Sequence, residues 1–357
     1  MTAVAAPSAA GREQHRAWRE RRLPPVEEIR PGLWSLPVPI PDNPLRYVLA
    51  YAVALDTGGI ALVDTGWPAD ESWQGLQDAI GATGHRVEDV RTVLITHAHT
   101  DHHGLTSRIV GASGAAVGMH PAEAGVLSRV AALAVTGPTQ ERWLELRGAP
   151  RAENEELRRS LLAMGRFQDA LAPPDFLVED GSRPLRGRAD LRAVWTPGHT
   201  EGHLCFLLDD ERVLLSGDHV LPRITPNVSR APGLDDDAIG SYLDSLTATG
   251  RLRVEEVLPA HEYRFAGLPG RVTAMLGHHH QRLAEIEAAV RAEPGCSTWR
   301  IAETISWSRG WESTYGLMRQ TAISETYTHL RHLEKLGRVS RPVGGTDAWR
   351  LAAADPA

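Results

Sequence analysis

The run His97-Ala98-His99-Thr100-Asp101-His102-His103, inside "THAHTDHHG", constrains this chain more than any other segment. Four imidazoles and a carboxylate crowd into seven positions, a density that scattered surface histidines have no reason to reach. The run follows "RTVLIT", a β-branched and apolar stretch that reads as a buried strand. In an extended chain, side chains two residues apart point the same way, so His97 and His99 can grip one cation. A helix opening at "DHHGLTSRIV" would aim Asp101 and His102 at a neighbouring point. The spacing predicts a metal site at a strand end, and the remaining ligands must come from elsewhere in the chain.

Two cations need roughly seven or eight ligands, a shared water included. The first run offers four. "TPGHTEGH" places His199 beyond a strand, "SGDHV" places Asp218, and "LPAHEY" places His261. Each follows an apolar run, where a sheet delivers side chains to a common edge. Asp218 carries two acceptor oxygens and can bridge two cations, which in such sites lie roughly 3.5–4 Å apart and share a hydroxide.

The rest of the chain reads as a layered α/β core with additions. At 357 residues it has room for two domains. Residues 1–25 read as a flexible tail, and 26–270 as the catalytic domain, with strands alternating with helices. Within that domain, 121–172 is a helical insertion, fit for a lid or a pocket wall. Its apolar residues Trp143, Leu146, Leu161, Leu162 and Phe167 are candidates to line an acyl-chain pocket. Residues 271–357 show three helices and then two strand-like arms around "GGTD", a winged-helix pattern, with "ISETYTHLRHLEKLG" as its recognition helix.

These residues resemble the metallo-β-lactamase superfamily. The His-x-His-x-Asp-His signature and the later His, Asp and His all occur in order, and "LVDTG" at 62–66 is similar to the family's early strand-to-turn motif, where Asp64 is structural. The resemblance covers roughly residues 29–265. It implies an αββα sandwich with His97, His99 and His199 on one metal and Asp101, His102 and His261 on the other. Asp218 would lie between them. The implied cofactor is a pair of divalent cations, zinc first, with iron or manganese as alternatives. Two such ions, two carboxylates and a hydroxide leave a local charge of roughly +1, which favours a transition state that gathers negative charge. The implied chemistry is hydrolysis by the bridging hydroxide, with Asp101 orienting it and accepting its proton.

Among hydrolases, the bridging aspartate argues against β-lactam breakdown, because true β-lactamases of the superfamily generally lack it. A glyoxalase II-like site keeps the full ligand set, but the C-terminal region differs. This core joined to a winged helix resembles lactamase-beta-like-2-type proteins. The preferred substrate is a small thioester or ester, acyl-CoA-like in kind. Arg223 and Asn227, in "GDHVLPRITPNVS", are candidates to bind an anionic or amide-bearing group. The alternatives are an endoribonuclease or phosphodiesterase using the same metals, a lactone hydrolase, and, further off, a mononuclear iron persulfide oxygenase. A net charge of -7 argues against a chain that coats nucleic acid or anionic membrane. Over 271–357 basic and acidic residues nearly balance, whereas a phosphate-gripping helix needs a one-sided basic stripe. Nucleic acid is therefore not the favoured partner, and the winged helix serves structure or a homodimer contact. No apolar run reaches membrane-spanning length. Two cysteines, Cys205 and Cys296, make no disulfide framework and suit a cytoplasmic protein.

Overall fold

The computed structural model describes residues 7–133, 137–153, 171–229, 237–342 and 344–353. The chain opens with strand β1 (Ser8–Ala9) and helix α1 (Arg12–Arg19), then β2 (Glu27–Arg30), β3 (Leu33–Pro39), β4 (Tyr47–Ala54) and β5 (Ile60–Val63). Helix α2 (Asp70–Ala82) leads to β6 (Val90–Leu94), followed by α3 (Thr100–His103), α4 (Thr106–Ser113) and β7 (Ala116–Met119). Helices α5 (Pro121–Leu133) and α6 (Gly137–Leu146) precede β8 (Phe176–Leu177). The second half brings β9 (Leu191–Trp195), β10 (Leu204–Leu208), β11 (Val213–Gly217), α7 (Ala238–Thr249), β12 (Glu256–Pro259) and β13 (Phe265–Ala266).

Strands β2 to β8 form one sheet in chain order, antiparallel as far as β5 and parallel from β5 to β8. The other sheet has the order β1-β13-β12-β11-β10-β9, with β11 and β12 parallel. Strand β4, "YVLAYAVA", shows why the sheets stack. Its odd-numbered residues Tyr47, Leu49, Tyr51 and Val53 share a core with Leu204, Phe206 and Leu208 of the opposite sheet. Its even-numbered residues Val48, Ala50 and Ala52 pack outward with Leu76 and Ile80 of α2. A strand covered on both faces loses the polar alternation of a half-exposed one, and β4 reads as a continuous apolar run. On the far side, α7 and helix α8 (Leu268–Ala292) cover the second sheet through Ile239, Tyr242, Leu246 and Met275. The layers are helix, sheet, sheet and helix, the mixed α/β arrangement expected from the sequence. Among the described residues no helix is long and apolar enough to cross a membrane.

Beyond α8 come α9 (Thr298–Thr304), α10 (Gly316–Lys335) and an antiparallel pair, β14 (Val339–Ser340) with β15 (Arg350–Leu351). Helix α10 starts seven residues before the "ISETYTH" stretch. This region is not a separate body. Trp143, Leu144 and Ala149 of the insertion sit in one core with Trp299, Tyr327, Leu330 and the fully buried Trp349. A buried ion pair, Arg147 to Asp347 at 2.6 Å, joins the same two segments, and the Arg147 guanidinium lies 3.8 Å above the Tyr327 ring.

Three expectations change accordingly. Trp143, a candidate pocket-liner, is 7 % exposed and committed to that shared core. Leu146 is only partly buried, and its carbonyl accepts the Asp347 N–H at 2.7 Å. Leu161, Leu162 and Phe167, with the helix expected around them, lie outside the described residues. The N-terminal segment is no free tail over its described part: β1 pairs with β13, and Gln14, fully buried, donates to Ser35 Oγ at 2.8 Å.

Candidate metal centre

The parallel strands bring their C-terminal ends to one edge of the sandwich. His97 and His99 follow β6, with Asp101 and His102 on α3. His199 lies between β9 and β10, Asp218 follows β11, and His261 follows β12. Seven side chains from both sheets converge there.

One group is made of imidazoles alone. His97 Nε2 lies 2.9 Å from His99 Nδ1 and 3.2 Å from His199 Nε2, and the last two are 3.0 Å apart. Each ring nitrogen has one in-plane lone pair or one N–H, so three mutual hydrogen bonds cannot form in such a triangle. Tetrahedral coordination at a metal–nitrogen distance of about 2.0–2.1 Å spaces nitrogens about 3.3 Å apart, so the triangle fits a cation after an opening of tenths of an ångström. The second group is Asp101, His102 and His261. His261 Nε2 stands 3.3 Å from Asp101 Oδ2, and His102 Nε2 stands 3.8 Å from that oxygen. Asp218 spans the two groups. Its Oδ2 is 3.7 Å from His199 Nε2 and 3.6 Å from His102 Nε2, and its Oδ1 is 3.4 Å from His261 Nε2. His102 Nε2, His261 Nε2 and Asp218 Oδ1 are buried, and none makes a hydrogen bond. Buried polar atoms normally have partners. Donor chemistry and orphaned atoms alike fit a pair of cations: both groups, and a third of His97, His102 and Asp218, could hold a metal ion.

The other ring nitrogen of His97, His102, His199 and His261 is occupied, which fixes the tautomer. His199 Nδ1 donates to the Asn227 carbonyl at 2.7 Å, and His261 Nδ1 to the Tyr47 carbonyl at 3.2 Å. His102 Nδ1 donates to Asp64 Oδ2 at 2.8 Å. That oxygen also accepts the Thr96 hydroxyl at 2.8 Å, while Asp64 Oδ1 accepts the Thr96 N–H at 2.8 Å. With its proton given to Asp64, Thr96 Oγ1 accepts from His97 Nδ1 at 3.0 Å. Asp64 is therefore the anchor beneath His97 and His102. It sits at φ +61°, a left-handed conformation that Asp and Asn tolerate best among residues with a side chain. Gly198, before His199, is required more strictly: at φ +142°, a Cβ there would lie 2.4 Å from Tyr242 Cβ and 2.5 Å from its Cα.

Charge separates the two groups. Burial, with repulsion from the packed neighbouring rings, depresses His97 strongly and His199 to about 3, so the imidazole trio is neutral and ready to ligate. In the second group burial is overridden by attraction. It would raise Asp101 and Asp218, yet the neighbouring histidines hold both carboxyls well below their usual range. It would lower His102 and His261, yet the carboxylates push His102 far up and His261 to about 10. A cation entering this group takes the place of two protons.

Other histidines and the substrate-binding candidates are spread around this centre. His203 Nε2 accepts the Asp218 N–H at 3.1 Å, and its Nδ1 meets Thr196 Oγ1 at 2.8 Å. His103 is buried against Thr106 and the Ala172 carbonyl, turned away from the ligands. Asn227 meets the centre through its backbone carbonyl, while its side-chain Nδ2 donates to Ser229 Oγ at 3.2 Å. Arg223 is exposed, and its guanidinium stacks 4.2 Å over the Trp18 ring of α1. Helix α10 also reaches this loop: Thr328 Oγ1 donates to the Val228 carbonyl at 2.7 Å. No pattern of residues marks the Tyr47 and Asn227 carbonyls, because any residue has a carbonyl and only the fold aims it.

Comparisons with known proteins agree with this geometry. A family model described as the metallo-beta-lactamase superfamily matches residues 43–261. A lactamase-like protein of Aspergillus niger, adaB, is 34% identical over 113 residues, 32% of this chain and 33% of its own length. Another, vrtG of Penicillium aethiopicum, is 30% identical over 128 residues, 36% of this chain and 39% of its own. The chain thus spans little more than a third of these curated relatives. A solved metallo-beta-lactamase family protein from Thermus thermophilus superposes with a TM-score of 0.76 at 27% identity, over 91% of this chain and 100% of that one. A beta-lactamase domain protein from Burkholderia ambifaria gives a TM-score of 0.75 at 24% identity, over 91% and 94%, a likeness of fold.

Proposed function

The chain belongs to the metallo-beta-lactamase superfamily, and on that footing we propose that it is a dinuclear metal-dependent hydrolase acting on a small-molecule thioester or ester, acyl-CoA-like in kind. The observation that carries this reading is Asp218, whose two oxygens face His199 and His102 on one side and His261 on the other. Two divalent cations, zinc first with iron or manganese as alternatives, would lower the pKa of a shared water towards about 7 and polarise the scissile carbonyl. In this reading His97, His99 and His199 hold one ion, and Asp101, His102 and His261 the other, with Asp218 shared. The hydrogen bonds from Nδ1 of His102, His199 and His261 keep each Nε2 lone pair turned inward. Asp101, the most accessible of the carboxylates at 19% side-chain exposure, orients the attacking water and accepts its proton. Arg223, stacked but exposed, is the candidate for an anionic substrate group, and Asn227 borders the same loop.

The ligand set is glyoxalase II-like, and the C-terminal region, read as a winged helix, is of the lactamase-beta-like-2 kind. Structural use of that region is supported by burial of α10, where Ala322 to Leu330 are covered except for the half-buried Glu325. A helix so enclosed presents little to a nucleic-acid groove. Cytoplasmic residence fits the two buried unpaired thiols, Cys205 and Cys296.

Metal-quantified protein assayed in parallel on acyl-CoA thioesters, lactones and single-stranded RNA tests the reading. Thioester turnover without RNA cleavage is expected. RNA cleavage without ester or thioester turnover would select the nuclease instead.

A further inference from the structure

One buried carboxylate lies directly behind the imidazole trio and has no part in the reading above. Glu123, in the first turn of α5, is 1 % exposed. Its two oxygens accept backbone N–H groups from two different loops: Oε2 from Ala98 at 2.7 Å and Oε1 from Gly202 at 2.8 Å. Ala98 stands between His97 and His99. Gly202 belongs to the loop that carries His199. One side chain therefore ties together the two loops, one from each sheet, that bring the three histidines to a point.

The fit at Gly202 is close enough to exclude a side chain. A Cβ there would meet the Glu123 nitrogen at 2.7 Å and its Cγ at 2.9 Å. Among the described residues no arginine or lysine pairs with Glu123, and the donors that meet its carboxylate there are the neutral backbone N–H groups of Ala98 and Gly202. A buried carboxylate held in this way is costly unless positive charge lies nearby. Two divalent ions offset by two carboxylates and a hydroxide leave roughly one positive charge, and Glu123 is placed to balance it.

We propose that Glu123 is a positioning residue, which clamps the His97–His99 loop to the His199 loop and places a counter-charge behind the three-histidine subsite. The inference rests on the dinuclear reading. It predicts that one subsite depends on Glu123 and the other does not.

The test titrates metal-free, full-length protein with Co²⁺ and Zn²⁺ against a chromophoric chelator, comparing wild type, Glu123→Gln and Gly202→Ala. His97→Ala serves to assign the Co²⁺ absorption of the three-histidine subsite. Gln keeps the shape of Glu123 but can accept only one of the two N–H groups, and alanine at 202 pushes the loop off the carboxylate. Wild type is expected to take up two equivalents. Both variants are expected to weaken the three-histidine subsite by about 10- to 100-fold, the range typical of lost outer hydrogen-bond partners, and to leave the other subsite unchanged. Circular dichroism confirms folding. If Glu123→Gln does not fold, the Gly202→Ala titration decides alone. A wild type that takes up no metal overturns the dinuclear reading and this inference with it. A wild type with two sites, and variants with both sites intact or both equally weakened, overturns the clamp and leaves the dinuclear reading standing.

Discussion

Replacing Asp64 by asparagine tests how far the centre depends on a residue that is not itself a ligand. Asparagine has the same shape and tolerates the left-handed backbone at this position, so the fold should persist. The hydrogen-bond pattern cannot. Thr96 N–H is a donor and holds the amide oxygen where Asp64 Oδ1 now lies. The amide nitrogen then replaces Oδ2 and faces His102 Nδ1, now 2.8 Å from that oxygen. In the free protein His102, held protonated by its carboxylates, can release its Nδ1 proton and keep the one on Nε2, which faces Asp101 and Asp218. A cation needs the Nε2 lone pair, so binding forces a donor–donor clash, at His102 or at Thr96 N–H if the amide flips. Either way the penalty falls on the metal-loaded state. A hydrogen bond to a charged group contributes about 1.5–3 kcal/mol, and its loss corresponds to about 10- to 150-fold weaker binding. The Thr96 hydroxyl has two lone pairs and can accept from both the new amide and His97, so the three-histidine group keeps its tautomers. Chelator competition should therefore find the Asp101–His102–His261 site weakened and the other unchanged. Wild-type affinity at both sites, or loss confined to the three-histidine site, would refute the tautomer reasoning.

Asp218→Ala should lower both metal content and turnover, checked by elemental analysis beside the activity assay, and full metal with wild-type rates would remove Asp218 from the bridge. Arg147→Met leaves the buried Asp347 with Arg341, 3.0 Å away, as its remaining cation and should cost about 1.5–3 kcal/mol of stability in urea unfolding. Gly198→Ala cannot avoid the Tyr242 backbone and should displace His199, with Zn²⁺ uptake falling while helical content is kept. Burial holds His279 at about pKa 2 and His329 at about 3, each also depressed by charged or ring neighbours, and the two rings lie 3.2 Å apart between α8 and α10. Both are neutral in the folded and unfolded chain above pH 6.5. Below it only the unfolded chain takes up protons, so stability falls from about pH 6.5 towards 3, by about 2 kcal/mol per histidine between pH 6.5 and 5. Burial raises Glu325 to about 7, which acts in the opposite sense as pH rises from about 4.5 to 7. The double variant His279→Gln, His329→Gln should flatten the acid side of the urea-midpoint profile, and an unchanged slope would count against the assignment.

The sequence was most informative where chemistry and position coincide. A strand rich in β-branched residues that ends in histidines specifies both an element and a ligand, and the ligand candidates on β6, β9, β11 and β12 were legible for that reason. What the sequence hid was relational. Glu123 looks like any acidic residue in the first turn of a helix, where such residues are favoured for local reasons. Trp143 looked like a pocket wall because an apolar helical face is the same pattern whether it meets a ligand or another helix. The start of α10 was missed because "GLMRQTA" follows a Gly- and Trp-rich stretch and its cap, Tyr315, offers no side-chain hydrogen bond.

The core shared by Trp143, Leu144, Tyr327 and Trp349 makes the last eighty or so residues inseparable from the segment that follows β7. Cutting the chain after β13 would strip a greasy face from each side, so the shortened product should clump rather than work as a minimal enzyme. Through Thr328 the same appendage steadies the loop beside His199, and changes that retune selectivity in one segment should need matching changes in the other.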